Sequence, residues 1–120
     1  NMVPEVIISE ESVPPTWNDS DFTKKLVDVW SERFGNQVFV KGKRLGMGAE
    51  DFPLFTIDPY IPSTYFAVGG TPKSAFEIEA RGGAPVPSHH SPLFKIDSRA
   101  SIILGTEATV AALLSLMEAP

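Results

Sequence analysis

"TYFAVGG", Thr64 to Gly70, is a continuous apolar run held between Pro62 on one side and Gly69, Gly70 and Pro72 on the other. A short run bounded by turn-forming residues predicts a strand buried on both faces. Two stretches of helical period stand on either side of it. In "NDSDFTKKLVDVWSERFG", Asn18 to Gly35, either Asn18 or Asp19 caps the first turn, Asp21 lies at the positive end of the helix dipole, and Gly35 supplies the stop. Phe22, Leu26, Val29, Trp30 and Arg33 share one face, apolar at its first four positions, so this helix covers something apolar. The second helix runs from Ser98 to Met117, capped by Asp97 or Ser98. Ile102, Ile103, Val110, Leu113, Leu114 and Met117 make its apolar side, while Gly105, Ala108, Ala111 and Ala112 permit close approach of a neighbour.

Shorter elements fill the remainder. "VPEVIIS", Val3 to Ser9, is rich in β-branched residues and predicts a strand, with Pro4 marking an edge or a start. Pro14 and Pro15 then force an extended crossing, read as a boundary between two structural units. "QVFV", Gln37 to Val40, predicts a short strand, and "KGKRLGMG" a glycine-bearing loop. "AEDFPLFT" starts a brief helix that tolerates Pro53 only in its first turn. Residues 71–88 form a long loop with a candidate strand at "FEIEA". Strands alternating with helices predict an α/β layer architecture.

Bulk properties narrow the function classes. The 120 residues suffice for one modest domain, and a 42% hydrophobic content fits a soluble globular chain, cytoplasmic by default. The net charge of −5, with scattered lysines and arginines, lacks the basic footprint that nucleic acid requires. The absence of cysteine excludes disulfides, thiolate nucleophiles and thiolate metal sites. No apolar run is read as long enough to cross a bilayer, and a membrane partner is not expected. Asn1 and Met2 ahead of a strand-like run do not look like a natural leader.

Two motifs can carry chemistry. "GGAPVPSHHSPLFKID", Gly82 to Asp97, holds the two histidines of the chain, His89 and His90. A solvated loop is the plain reading; a metal ligand with partners elsewhere is the sharper one, because zinc takes neutral imidazole together with carboxylate. On extended backbone the two rings would point to opposite sides, so both would not reach one ion. In "GMGAEDF", Gly46 and Gly48 permit a tight turn, and Glu50 and Asp51 stand where a helix begins. These acids either neutralise that helix terminus, or the turn is a backbone cradle for a substrate carboxylate or oxyanion. No nucleophile elbow accompanies the serines, and "VGGTPK" lacks the spacing of a phosphate loop.

"PPTWND" leading into a helix, "GMGAEDF", and "YFAVGG" followed by "HHSPLFKIDSRASIILGTEATVAALLSLM" resemble, in that order, the closing portion of the dinuclear zinc amidohydrolases. That family includes hippurate hydrolase, N-acyl amino acid deacylases and auxin-conjugate hydrolases, with carboxypeptidase G more distant. The resemblance covers residues 3–117. It implies the second half of a zinc-exopeptidase-type catalytic domain, with helices packed on a mixed sheet. Residues 1–9 would be the last strand of an inserted dimerisation domain, 10–18 the crossing back, and 19–120 the C-terminal half of the catalytic domain.

The resemblance further implies that His90, the histidine before Ser-Pro, is a metal ligand, and that Gly46, Gly48, Ala49, Glu50, Asp51 and Phe52 line the substrate site. His89 has no consistent counterpart, and Ala49 replaces the commoner serine. The intact enzyme would hold two divalent metal ions, zinc by resemblance, with manganese, cobalt and nickel also suited to imidazole and carboxylate donors. It would cleave the amide bond of N-acyl amino acids or small peptides. The other ligands and the general-base glutamate would lie in a missing N-terminal half, so no catalytic residue is assigned to this chain. The isolated fragment is expected to be inactive and to associate, as a homo-oligomer, through its uncovered faces. The alternative is a non-catalytic binding or oligomerisation module that keeps the family fold.

Overall fold

The computed structural model describes residues 3–8, 12–40 and 48–117. Its helices are α1 (Ser20–Phe34), α2 (Lys73–Ala80) and α3 (Ser98–Met117), with 3-10 turns at Asn36–Val38 and Phe52–Phe55. Asp19 is the cap of α1: its carboxylate accepts the Phe22 N–H at 2.8 Å. Gly35 ends the helix at φ 80, where a side chain would be strained and would run into Gln37. Asp97 opens α3, accepting the Ala100 N–H at 3.2 Å.

The core lies where α1 crosses α3. Leu26 and Trp30 from α1 and Ala108 and Ala112 from α3 are buried, flanked by half-buried Phe22, Phe34, Phe39 and Ala111. The alanines matter because they let the indole of Trp30 reach the backbone of α3. There its Nε1–H donates to the Ala108 carbonyl at 2.9 Å, which satisfies a polar group that burial would otherwise leave costly. Phe66 closes the cluster, its ring 4.8 Å from that of Trp30.

Thr64–Gly70 departs from the buried strand expected of it. It carries no strand pairing among the described residues, and Tyr65 and Phe66 are each 39% exposed. Helix termini hold it in place. The Asn18 amide accepts from the Tyr65 N–H at 2.8 Å and donates to the Tyr65 carbonyl at 2.9 Å. The Asp19 N–H donates to Ser63 O, and the Asp97 N–H to Gly70 O. Burial on two faces needs a layer on each side and strands at each edge. Here α1 and α3 supply one side only.

Among the described residues the single β contact is an isolated antiparallel bridge between Pro15 and Ala49, so the mixed sheet of the expected α/β fold is not formed within them. The expected strand at Gln37–Val40 gives way to a 3-10 turn, where Gln37 Nε2 donates to the Phe34 carbonyl at 2.8 Å and so closes the end of α1. "FEIEA" belongs to α2 rather than to a strand. Its alternation of apolar and acidic residues suits either period, and among the described residues no other helix packs on it. Pro72 at its start, spaced pairs of Glu77 with Lys73 and Arg81, and a glycine stop decide for helix. At that stop Gly83 N–H bonds Ile78 O and Gly82 N–H bonds Glu79 O, with Gly82 at φ 81.

Two whole-chain quantities set the context for function. The accessible surface is 10469 Å², against about 6,300 Å² for a folded monomer of this mass. The radius of gyration is 18.8 Å, where a compact domain of this length has about 14 Å. Much of the surplus is apolar, including Ile102, Leu113 and Leu114 on α3. At 20 residues α3 is also long and apolar enough, by length and composition, to cross a membrane, which corrects the reading that no run approaches that length. Arg99 and Glu107 interrupt the run in sequence without preventing a continuous helix.

Candidate functional site

The two histidines occupy the centre of a turn. Ser91 N–H donates to Ser88 O at 2.9 Å, which places His89 and His90 at its two middle positions. Their rings therefore come together, with centroids 4.3 Å apart, instead of pointing to opposite sides as extended backbone would require. Ser91 continues the turn: its hydroxyl accepts the Leu93 N–H and its carbonyl the Phe94 N–H. Both imidazoles are exposed.

The second motif is held differently. Thr16 N–H donates to the Gly48 carbonyl at 2.9 Å, so the proline crossing and the glycine turn are joined. Ala49, Glu50 and Asp51 are exposed, and Phe52 is half-buried with its ring 5.5 Å from Tyr65. Pro53 is buried in the first turn of the 3-10 helix, the position where proline was expected to be tolerated. Gly46, the other glycine of the motif, lies outside the described residues. Among the described residues no hydrogen bond, ion pair or ring contact links His89 or His90 to Gly48–Phe52.

A cavity of ≈ 310 Å³ opens along α1 and the 64–69 segment, walled by Val27, Trp30, Phe34, Phe39, Phe66 and Leu104. It is apolar, and neither the histidines nor Gly48–Phe52 line it. Nothing in the sequence flagged this cavity as a site; of its walls Trp30 belongs to the expected apolar face of α1 and Phe66 to the expected buried run, whereas Val27, Phe34 and Leu104 lie outside the expected apolar faces.

The perturbed titrating groups stand apart from both motifs. The Tyr60 hydroxyl donates to the Asp19 carboxylate at 2.6 Å, and that bond, aided by the Phe22 N–H, holds Asp19 below its ordinary value against a small opposing effect of burial. The same bond raises Tyr60, because ionising the phenol beside a carboxylate is unfavourable. Asp19 was legible as one of two candidate caps; its partner 41 residues away left no local signal.

Among the described residues no group of three or more histidine, aspartate or glutamate side chains converges to hold a metal ion. One exposed imidazole pair does not fit a complete two-metal centre, which needs several converging donors per ion. Comparison of the chain with family models, with curated proteins and with solved structures gives no match.

Proposed function

We propose that this chain is the C-terminal part of a metal-dependent amidohydrolase that cleaves N-acyl amino acids or small peptides. The fold that goes with this reading is α/β, completed by strands from a preceding half. His90 is the chain's metal ligand, and the Gly46–Phe52 turn borders the substrate. Its support is the order of the three motifs, and the observation that carries it is the surplus of exposed surface. A chain exposing 10469 Å² where about 6,300 Å² suffices has a large part of its apolar area waiting for a covering portion. Half of a catalytic domain has that property. An accessible His90, free to meet donors from another portion, is compatible with the same reading.

The chain alone has no catalytic step to perform. Metal affinity falls steeply when donors are lost, so one imidazole holds an ion only in company. His89, now beside His90, is the residue most easily confused with it.

Metal content of the full-length protein provides the test. His90→Ala lowers bound metal and hydrolysis of an N-acyl amino acid together, whereas His89→Ala leaves metal content near that of the parent. Unchanged metal in His90→Ala ends the assignment. A coding sequence that carries no histidine-bearing motif and no Glu-Glu pair upstream of Val3 favours the binding or oligomerisation module.

A further inference from the structure

The Ser88–Ser91 turn gives His89 and His90 a relation that neither has alone. Extended backbone would send adjacent side chains to opposite sides, and the two rings would not share one ion. Closing the turn brings them together, with centroids 4.3 Å apart and planes tilted by 48°. The separation favours one coordination angle. An imidazole nitrogen bonds a divalent first-row ion at about 2.0 Å, which puts its ring centroid about 3.2 Å from the ion. Two such rings at a right angle are then about 4.5 Å apart, and two at a tetrahedral angle about 5.2 Å. The observed 4.3 Å lies nearest the right-angle value. Adjacent positions of square-planar Cu(II) have that angle, and Cu(II) also stands highest in affinity among the divalent first-row ions.

The turn is also held from both ends, so an ion that binds there has little backbone freedom to freeze. Before it, the Val86 N–H donates to the Glu79 carboxylate of α2 at 3.1 Å. After it, the Phe94 N–H donates to Ser91 O at 3.0 Å and the Asp97 N–H to Gly70 O at 2.8 Å. Pro87 and Pro92 flank the four residues and fix φ on either side. Both imidazoles are exposed, so an ion reaches them directly from solvent.

We propose that His89 and His90 together form a two-imidazole site for a single square-planar ion, Cu(II) by preference, with water in its remaining positions. The site is distinct from the two-metal centre of the hydrolase reading and does not rest on it. Both donors belong to this chain, and no other portion has to supply a ligand. Two nitrogens place its affinity above that of a lone imidazole and below that of a centre with three or more ligands. Where the hydrolase reading also holds, His90 serves one ion or the other, and copper at the turn competes with zinc loading.

Titration of Cu(II) into the metal-free 120-residue chain, followed by calorimetry and pulsed electron paramagnetic resonance, reads the outcome. Circular dichroism checks that each variant keeps its helix content. One ion binds per chain, and the resonance carries the signature of two imidazoles on it. His89→Ala and His90→Ala each weaken binding at least roughly tenfold and reduce the signature to one ring. Ser91→Pro separates the turn from the mere presence of two histidines. It deletes the N–H that closes the turn and pushes His90 to extended backbone, so binding weakens with both rings kept, whereas Ser91→Ala leaves it unchanged. A His89→Ala chain that binds as tightly as the parent overturns the proposal. So does a parent that binds no copper or shows one ring only, or a Ser91→Pro chain indistinguishable from Ser91→Ala. Zinc content of full-length His90→Ala tests the hydrolase reading separately, and either can fail with the other intact.

Discussion

The two sides of α3 are made of similar residues and meet opposite fates. On one side Ala108 and Ala112 are buried under Leu26 and Trp30 of α1, with the indole bonded to the α3 backbone. On the other Ile102, Leu113 and Leu114 are exposed by 66%, 54% and 55%. The larger apolar side chains are outside and the alanines inside. Apolar character therefore says that a residue seeks cover, and small size says where a neighbour's ring can come close; only the neighbour decides which face is covered. The same contrast separates α1, whose stripe is used, from α2, where Phe76 and Ile78 stay more than half exposed.

Substitutions on the two sides should differ in proportion to burial. The largest effect is expected for Trp30→Ala, which empties the crossing and costs about 3–5 kcal/mol, with Leu26→Ala at about 2–5 kcal/mol. Denaturant unfolding followed by far-ultraviolet circular dichroism measures both. Losses near zero would mean that the helices do not pack in solution as they do here. A subtler cut at the same place is Trp30→Phe, which keeps most of the ring but deletes the donor to Ala108 O and costs about 1 kcal/mol. On the outer side, Leu113→Gln should change the stability of this chain by less than about 0.5 kcal/mol. A loss as large as that of Leu26→Ala would show that the outer face is covered.

The smallest effect concerns the start of α1. The Tyr60 hydroxyl holds Asp19 below the ordinary carboxylate value, so its contribution is present above that ordinary value and is lost as pH falls through the depressed folded value. The Asp19 carboxylate holds Tyr60 above the ordinary phenol value, so its contribution is present below that ordinary value and is lost as pH rises through the raised folded value. Tyr60→Phe should therefore lower the melting temperature modestly at neutral pH and match the parent at both extremes. Carboxyl titration by nuclear magnetic resonance should show Asp19 moving up toward its ordinary value. An Asp19 titration unmoved by Tyr60→Phe would remove the hydroxyl as its main cause.

Helices were easier to read than extended segments, for a physical reason. An α-helix closes its hydrogen bonds within a few residues, so the cap at Asp19, the stop at Gly35 and the span of α3 are local. A strand closes its bonds on a partner that no local window contains, and Thr64–Gly70 and Gln37–Val40 found none among the described residues. "FEIEA" failed the other way, because Pro72 at its start, the glycine stop and the spaced charges outweighed its alternation. At the candidate site, the pairing of His89 with His90 was hidden for a similar reason: residue type suggested a ligand, whereas the shared direction of the rings follows from the Ser88–Ser91 turn.

From residue order alone came the spans of the two long helices α1 and α3, the paired candidates for their caps, the absence of thiol chemistry, and the short catalogue of imidazoles and acids able to act at a site. Tertiary structure alone decided that Trp30 spends its N–H on Ala108, that Tyr60 leans on Asp19, and that Asn18 holds the apolar run at 64–70 through Tyr65. The division follows the range of the forces: caps and turns are settled between near neighbours, while burial and strand pairing require surfaces that distant parts of the chain, or another chain, must bring.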